Sequence, residues 1–532
     1  MRTKSFFMAT LIAIASAAAV PAAGAPGRVV DAVRDGDTAA LRALLKQHAD
    51  VNLAETDGTT ALAWAARQGD AATVDLLLRA GADAKKANRY GISPLSLAAE
   101  AGDTAILLRL LNASADANTT VADGETVLML AARAGKADAI KLLAARGASV
   151  NAKENRMGET PLIWAAAENN ADAVRMLVEF GAGADTRSAR VKYPPQVPAD
   201  PSNYVSSAAP KGEWTPLMYT AREGALEAAR ALIELGANVN AQDPDGMTPL
   251  LEAIVNMHLD FAAVLLDKGA NPNLADVSGM TPLYAAIDMH TPAWERSRPD
   301  PKENDKLDCL ALMKVLLDHG ANVNAALKGR ILQRYHAGGS AVLGEGTTPL
   351  IRAARYDNLD MMRLLVERGA DVNLAQKDGT TALMLASGVK YSLTQEGDPA
   401  NAGSAADAYE IVKLLTEKGS DVNAVNAKGE TALYGAAFVG RNQAIAYLAE
   451  HGARMDAKTK QGLTILDGAL NTGVADDGTG ARVGGKPGES TVALVRQLML
   501  KAGVQPTIAG TPTPLLAMPA RQGQPQTVAP GR

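Results

Sequence analysis

The chain has one cysteine, Cys309, so no disulfide can form within it. Packing alone must hold its 532 residues together. Aromatic residues are only 4% of the composition, which suits thin, closely stacked helices better than one wide globular core. Basic residues (53) do not outnumber acidic ones (58), and the formal charge of −5 gives no broad basic footprint, so nucleic acid is disfavoured as a partner. The six histidines, His48, His258, His290, His319, His336 and His451, show no i, i+4 pair, so no zinc-binding helix is expected. G-x-S-x-G is missing and the carboxylates are spread evenly, leaving no nucleophile elbow and no distinct acid/base pair. One G-x-x-x-x-G-K spacing does occur, Gly480 to Lys486. Pro487 stands where a phosphate loop needs Ser or Thr for magnesium, and no strand is expected before it. No cofactor, no metal site and no catalysis are expected.

Long apolar runs are missing too, with one exception at the start. Arg2 and Lys4 precede an apolar stretch from Phe6 to Val20, followed by Pro21 and the small residues Ala22 to Ala25, the three-part layout of a secretory signal peptide. At 15 residues the stretch falls short of the ~20 needed to span a bilayer. Residues 1–25 therefore read as a signal peptide cleaved between about residues 22 and 25, with a periplasmic or secreted product and no membrane insertion afterwards. In an exported chain Cys309, at the start of an apolar helix, reads as a buried small residue.

What the chain has in abundance is self-similarity. Thr248-Pro249-Leu250 opens a unit that begins again 33 residues later at Thr281-Pro282-Leu283. Eleven such starts are visible: at Thr60, Ser93, Thr126, Thr160, Thr215, Thr248, Thr281, Thr348, Thr381, Thr431 and Thr464. Ser or Thr can cap a helix amino end, Pro fits the first turn, and Leu begins a buried stripe. A first helix of two turns is expected to end at residues such as Gly69, Gly102, Gly135, Gly224 or Gly440, with Asn169 and Asn358 at comparable places. A second helix carries a V-x-x-L-L stripe, as at Val74 to Leu78, and Gly-Ala-Asp/Asn-Val-Asn closes it, as at Gly236 to Asn240.

This unit resembles the ankyrin repeat, and the resemblance covers nearly everything from residue 27 to 504. It implies an all-α ankyrin-repeat solenoid of about twelve helix-turn-helix repeats with short β-turn or hairpin loops, the first being an amino-terminal cap over Val29 to Asp50. The histidine of the family's T-P-L-H motif is replaced by Ala63, Ser96, Met129, Ile163, Met218, Leu251, Tyr284, Ile351, Met384, Tyr434 and Asp467, so mostly apolar packing is expected there. Insertions break the frame near 187–213, 291–306, 327–346, 389–408 and 471–490. Residues 505–532, rich in Pro, Gln and Gly, read as a flexible tail.

The resemblance implies a non-catalytic protein-binding module whose concave face is lined by the residue two after each anchor leucine. Here these are Trp64, Leu97, Leu130, Trp164, Tyr219, Glu252, Ala285, Arg352, Leu385, Gly435 and Gly468. Trp64, Trp164, Tyr219, Glu252 and Arg352 are the candidate partner contacts, because Trp, Tyr and Arg anchor interfaces. The alternative is that Trp64 and Trp164 fill grooves between adjacent repeats. On the hairpin side Tyr193, Tyr204 and Trp214 accompany the first long insertion, with Trp214 placed to cover its base. The expected partner is a protein; a secreted effector or inhibitor acting on another cell, and an enzyme with its site in the insertions, are the other readings.

Overall fold

The structure, a computed structural model, describes residues 28–190, 212–290, 305–329, 331, 343–389, 405–470, 474–476, 482–484 and 489–508. The signal-peptide reading, Tyr193, Tyr204 and the tail beyond residue 508 lie outside the described residues. Two compact units emerge, one of Met1–Ala131 with Leu142–Ala148 and the other of Ala132–Lys141 with Ser149–Arg532.

In the first unit α1 (Val29–Arg34) and α2 (Thr38–Lys46) form the expected two-helix start, followed by the pairs α3 (Ala61–Gln68) with α4 (Ala71–Arg79) and α5 (Pro94–Ala101) with α6 (Thr104–Asn112). The chain then enters α7 (Val127–Arg133) and α8 (Ala137–Ala145), each divided between the units. First helices stack on first helices, α1 on α3 and α3 on α5, while α4 packs on α6. Leu62, Leu77, Leu95, Ile106 and Leu110 are buried between the layers.

The second unit repeats the scheme. Its pairs are α9 (Pro161–Ala167) with α10 (Ala171–Glu179), α11 (Pro216–Glu223) with α12 (Leu226–Glu234), α13 (Pro249–Val255) with α14 (Leu259–Asp267), and α15 (Pro282–Met289) with α16 (Cys309–Asp318). They continue as α17 (Pro349–Ala354) with α18 (Leu359–Glu367), α19 (Ala382–Ser387) with α20 (Ala405–Glu417), α21 (Ala432–Val439) with α22 (Asn442–Glu450), and α23 (Ile465–Leu470) with α24 (Glu489–Lys501). The odd-numbered helices stack in order from α9 to α23. Because α11 packs on α9 and α17 on α15, the stack of first helices is continuous across the long insertions. Cys309, at the first position of α16, is 3% exposed.

The anchors behave as their chemistry demands. Thr60 Oγ1 accepts from the Ala63 backbone N–H, and Thr248, Thr281 and Thr348 do the same three residues on. Ser93 and Ser96 go further and cap each other reciprocally. Most residues at the missing-histidine position are buried and apolar, as expected; Ser96 and Asp467 instead make local hydrogen bonds, Asp467 accepting from both the backbone and the hydroxyl of Thr464.

Repeats are also joined by the Asn residues whose local sequence signals a turn. The Asn240 amide donates to the Gly269 carbonyl at 3.1 Å, and its carbonyl accepts from the Asn271 N–H at 2.7 Å. Asn273, Asn324, Asn373 and Asn423 repeat this two-way bond to the next repeat, as Asn52 does in the first unit. A single amide offers a donor and an acceptor at once, which Lys85 and Asp185 at equivalent places do not.

Three local expectations are corrected. Asn358 does not end a helix: it caps the start of α18 by accepting from Met361, and Asp357 before it takes the left-handed φ of 50°. The expected insertion at 389–408 is shorter, because α20 already begins at Ala405. In the last insertion a strand does precede the G-x-x-x-x-G-K spacing, contrary to expectation: β1 (Val474–Asp476) pairs antiparallel with β2 (Arg482–Gly484) inside it, an arrangement different from a loop entering a helix.

Candidate partner-binding site

A small cleft, partly open to solvent, lies in the first unit, lined by Asp57, Thr59, Ala63, Trp64, Arg67, Asn88, Tyr90, Ile92 and Leu97. The repeat builds it. Trp64 and Leu97 are equivalent positions on the neighbouring first helices α3 and α5, and the hairpin tips before each helix form the rim. The tips are tied by the Arg89 N–H, which donates to the Asp57 carbonyl at 2.9 Å.

Trp64 is half-buried, and its indole N–H donates to the Glu55 carboxylate at 3.1 Å. Glu55 is further held by Arg34 at 2.8 Å. The Arg67 guanidinium lies 5.7 Å from the Trp64 ring centre, and that of Arg89 lies 4.8 Å from the Tyr90 ring while donating to the Tyr90 hydroxyl at 2.7 Å. Tyr90 remains 44% exposed. The cleft thus combines an apolar floor (Ala63, Ile92, Leu97), two aromatic rings and one lining cation, Arg67, with Arg89 beside it against the Tyr90 ring. Tyr90 was missed from the sequence, although its signal was present: it is the aromatic residue standing three positions before an anchor, where Asp57, Asp123, Asp245 and Asp378 stand in other repeats.

In the second unit the expected exposed residues are buried. Trp164 is 6% exposed, Tyr219 3%, Glu252 0%, Arg352 2% and Trp214 3%. The reason is that a large side chain at this position reaches across to the adjacent repeat, which is the groove-filling alternative. Trp214 donates its indole N–H to Asp243 at 3.1 Å and meets the Tyr219 ring edge-on at 5.5 Å, with the Arg222 guanidinium close to both rings. Its backbone closes the neck of the insertion: the Ser188 N–H donates to the Trp214 carbonyl, the Trp214 N–H to the Ser188 hydroxyl, and Arg190 bridges to Gly212.

Beneath it, the Tyr219 hydroxyl lies near Glu159 and Ser188. Burial pushes the Glu159 carboxyl above its ordinary pKa, against the opposing influence of the nearby Tyr219 hydroxyl. The Trp164 indole N–H comes near enough to Glu159 to stabilise its charge but falls short of hydrogen-bond geometry. For Arg222, burial alone would lower the pKa, but the Glu223 carboxylate, helped by Glu252, outweighs it.

Glu252 accepts from the Asn256 amide at 3.4 Å. Arg352 is paired with Asp288 at 2.6 Å, both side chains almost wholly buried, and lies 4.2 Å from the Tyr356 ring. Its charge is kept against the cost of burial chiefly by the Asp288 carboxylate. Of the expected contacts among the described residues, Trp64 lies in a cleft partly open to solvent. Among the described residues no group of His, Cys, Asp and Glu could hold a metal ion. Likewise no helix there is long and apolar enough to cross a membrane.

A family model of ankyrin repeats, in three copies, matches residues 29–121, 95–188, 199–276, 217–294, 308–392 and 401–476. Together these spans cover more than half of the chain. The crystal structure of the human ASB11 ankyrin repeat domain is similar at 24% identity and a TM-score of 0.38, over 46% of this chain and 99% of that one. No curated protein matches.

Proposed function

The chain belongs to the ankyrin-repeat family, and from that premise we propose that it is a non-catalytic binding module that holds a protein partner in the Trp64 cleft, in the periplasm or outside the cell. Ankyrin repeats are protein-interaction modules, typically without catalytic activity. The observation that carries the reading to a site is the juxtaposition of half-buried Trp64 and 44% exposed Tyr90 beside an apolar floor, since aromatic rings that keep open faces gain most when a partner covers them. Export is supported by Arg2, Lys4 and the Phe6–Val20 run, and by a single cysteine that needs no pairing.

The test is capture of partners from a periplasmic extract on the immobilised chain, repeated with Trp64→Ser/Tyr90→Ser. A partner lost by the variant, with helical circular dichroism unchanged, supports the site; a partner retained by it refutes the site. Fractionation of the producing cells tests location, and a purely cytoplasmic chain of full length would refute export.

A further inference from the structure

The charges around the Trp64 cleft are unequally engaged. Each acid is used by its own chain. Asp57 accepts from the Thr59 N–H and hydroxyl, both at 2.9 Å, and Glu55 takes Arg34 on one oxygen and the Trp64 indole on the other. The two arginines are not so used. Among the described residues Arg67 and Arg89 have no carboxylate at ion-pair distance; each lies by an aromatic ring, and Arg89 spends one N–H on Tyr90. A guanidinium held near a ring keeps its planar fork of donors and is already partly ordered, so less freedom is lost when a carboxylate arrives.

Resting on the reading above, we infer that the occupant is an extended peptide segment of a protein partner, carrying an apolar side chain beside Asp or Glu. The apolar side chain enters between Trp64, Ile92 and Leu97, and the carboxylate meets Arg67 or Arg89 at the rim. Charge complementarity selects this class over a basic one, because the acids of the cleft are already satisfied and its cations are not. Rings with arginines also suit single-stranded nucleic acid; the acids close by, Asp31, Asp35, Glu55 and Asp57, and the net charge of −5 favour the peptide.

The experiment is selection of a displayed random-peptide library on the full chain, followed by anisotropy of labelled selected peptides at low and high salt. Expected are peptides that lose binding on Trp64→Ser and share an apolar residue next to Asp or Glu. Arg67→Gln/Arg89→Gln should weaken them by about tenfold at low salt and flatten the salt dependence. Changing the peptide's Asp/Glu to Asn/Gln should weaken binding to the original chain but change little for the arginine variant. Peptides sensitive to Trp64→Ser without acid preference would overturn this inference and leave the binding site standing. Peptides indifferent to Trp64→Ser, or no peptides at all, would overturn both. A thymidine oligonucleotide that binds and displaces a selected peptide would overturn the peptide assignment. Circular dichroism of each variant confirms that the fold is retained.

Discussion

Arg352 and Asp288 join the two first helices separated by the longest stretch of chain between consecutive anchors, Thr281 to Thr348. A long connection makes the entropic cost of bringing α17 onto α15 larger, so this contact has more to hold than any 33-residue step. Arg352 Nη2 and Nε sit 2.6 and 2.8 Å from one Asp288 oxygen, with the side chains 2% and 4% exposed. Arg352→Met removes the cation paired with a buried carboxylate, for which about 3–5 kcal/mol of destabilisation is expected. Arg352→Met/Asp288→Leu removes that carboxylate as well and should recover more than half of that loss, since replacing a buried pair by apolar groups is often near neutral. Urea unfolding followed by circular dichroism gives the sizes, and amide exchange in α15 and α17 places them. A single variant costing under about 1 kcal/mol, or a double variant costing as much as the two singles added, would refute this reasoning.

Asn273→Ala deletes the bonds to Gly320 and Asn322, at 2.9 and 2.7 Å, in a place water can reach; a loss of about 1–2 kcal/mol is expected in urea unfolding, with faster exchange at the Asn322 amide. Gly435→Ala would put a Cβ 2.7 Å from the Val389 backbone nitrogen, and a loss of about 1–3 kcal/mol is expected by thermal unfolding because backbone has to shift. Glu159→Gln addresses pH: burial raises the Glu159 pKa in the folded chain above its unfolded value, so the folded state binds that proton more readily. The original chain therefore gains stability relative to the variant as pH falls through the raised value, complete below the unfolded pKa and lost as pH rises. Unfolding midpoints of both chains between pH 7 and pH 4, about the range concerned, check the sign; a gap that widens in the opposite direction contradicts it.

The repeat was legible because its signals are local. A capping Thr, a Pro in the first turn and a closing Gly each act within a few residues, and so α13 and α14 lie where the Thr248 to Met280 unit puts them. What stayed hidden depends on neighbours in space. Asn240 looked like a turn residue, and its second role shows only once Gly269 and Asn271 are folded beside it. The same holds for the positions two after each anchor leucine. Spacing alone treats Trp64 and Trp164 as equals, but exposure depends on what the adjacent repeat supplies: Tyr219 and Arg352 cross into buried partners, whereas Trp64 faces Leu97 and leaves a cleft. Asp357 in place of Asn358 shows the same limit at small scale, since both can take a left-handed turn and only the cap of α18 decides between them.

A photo-crosslinker in place of Tyr90 tests most directly whether a partner peptide lies in the Trp64 cleft. Irradiated with the captured partner, it should join position 90 to one short partner segment, with an apolar residue beside Asp or Glu, and added Trp64→Ser should abolish the product. Efficient crosslinking from an exposed residue of the second unit such as Val425, with none from position 90, would contradict it.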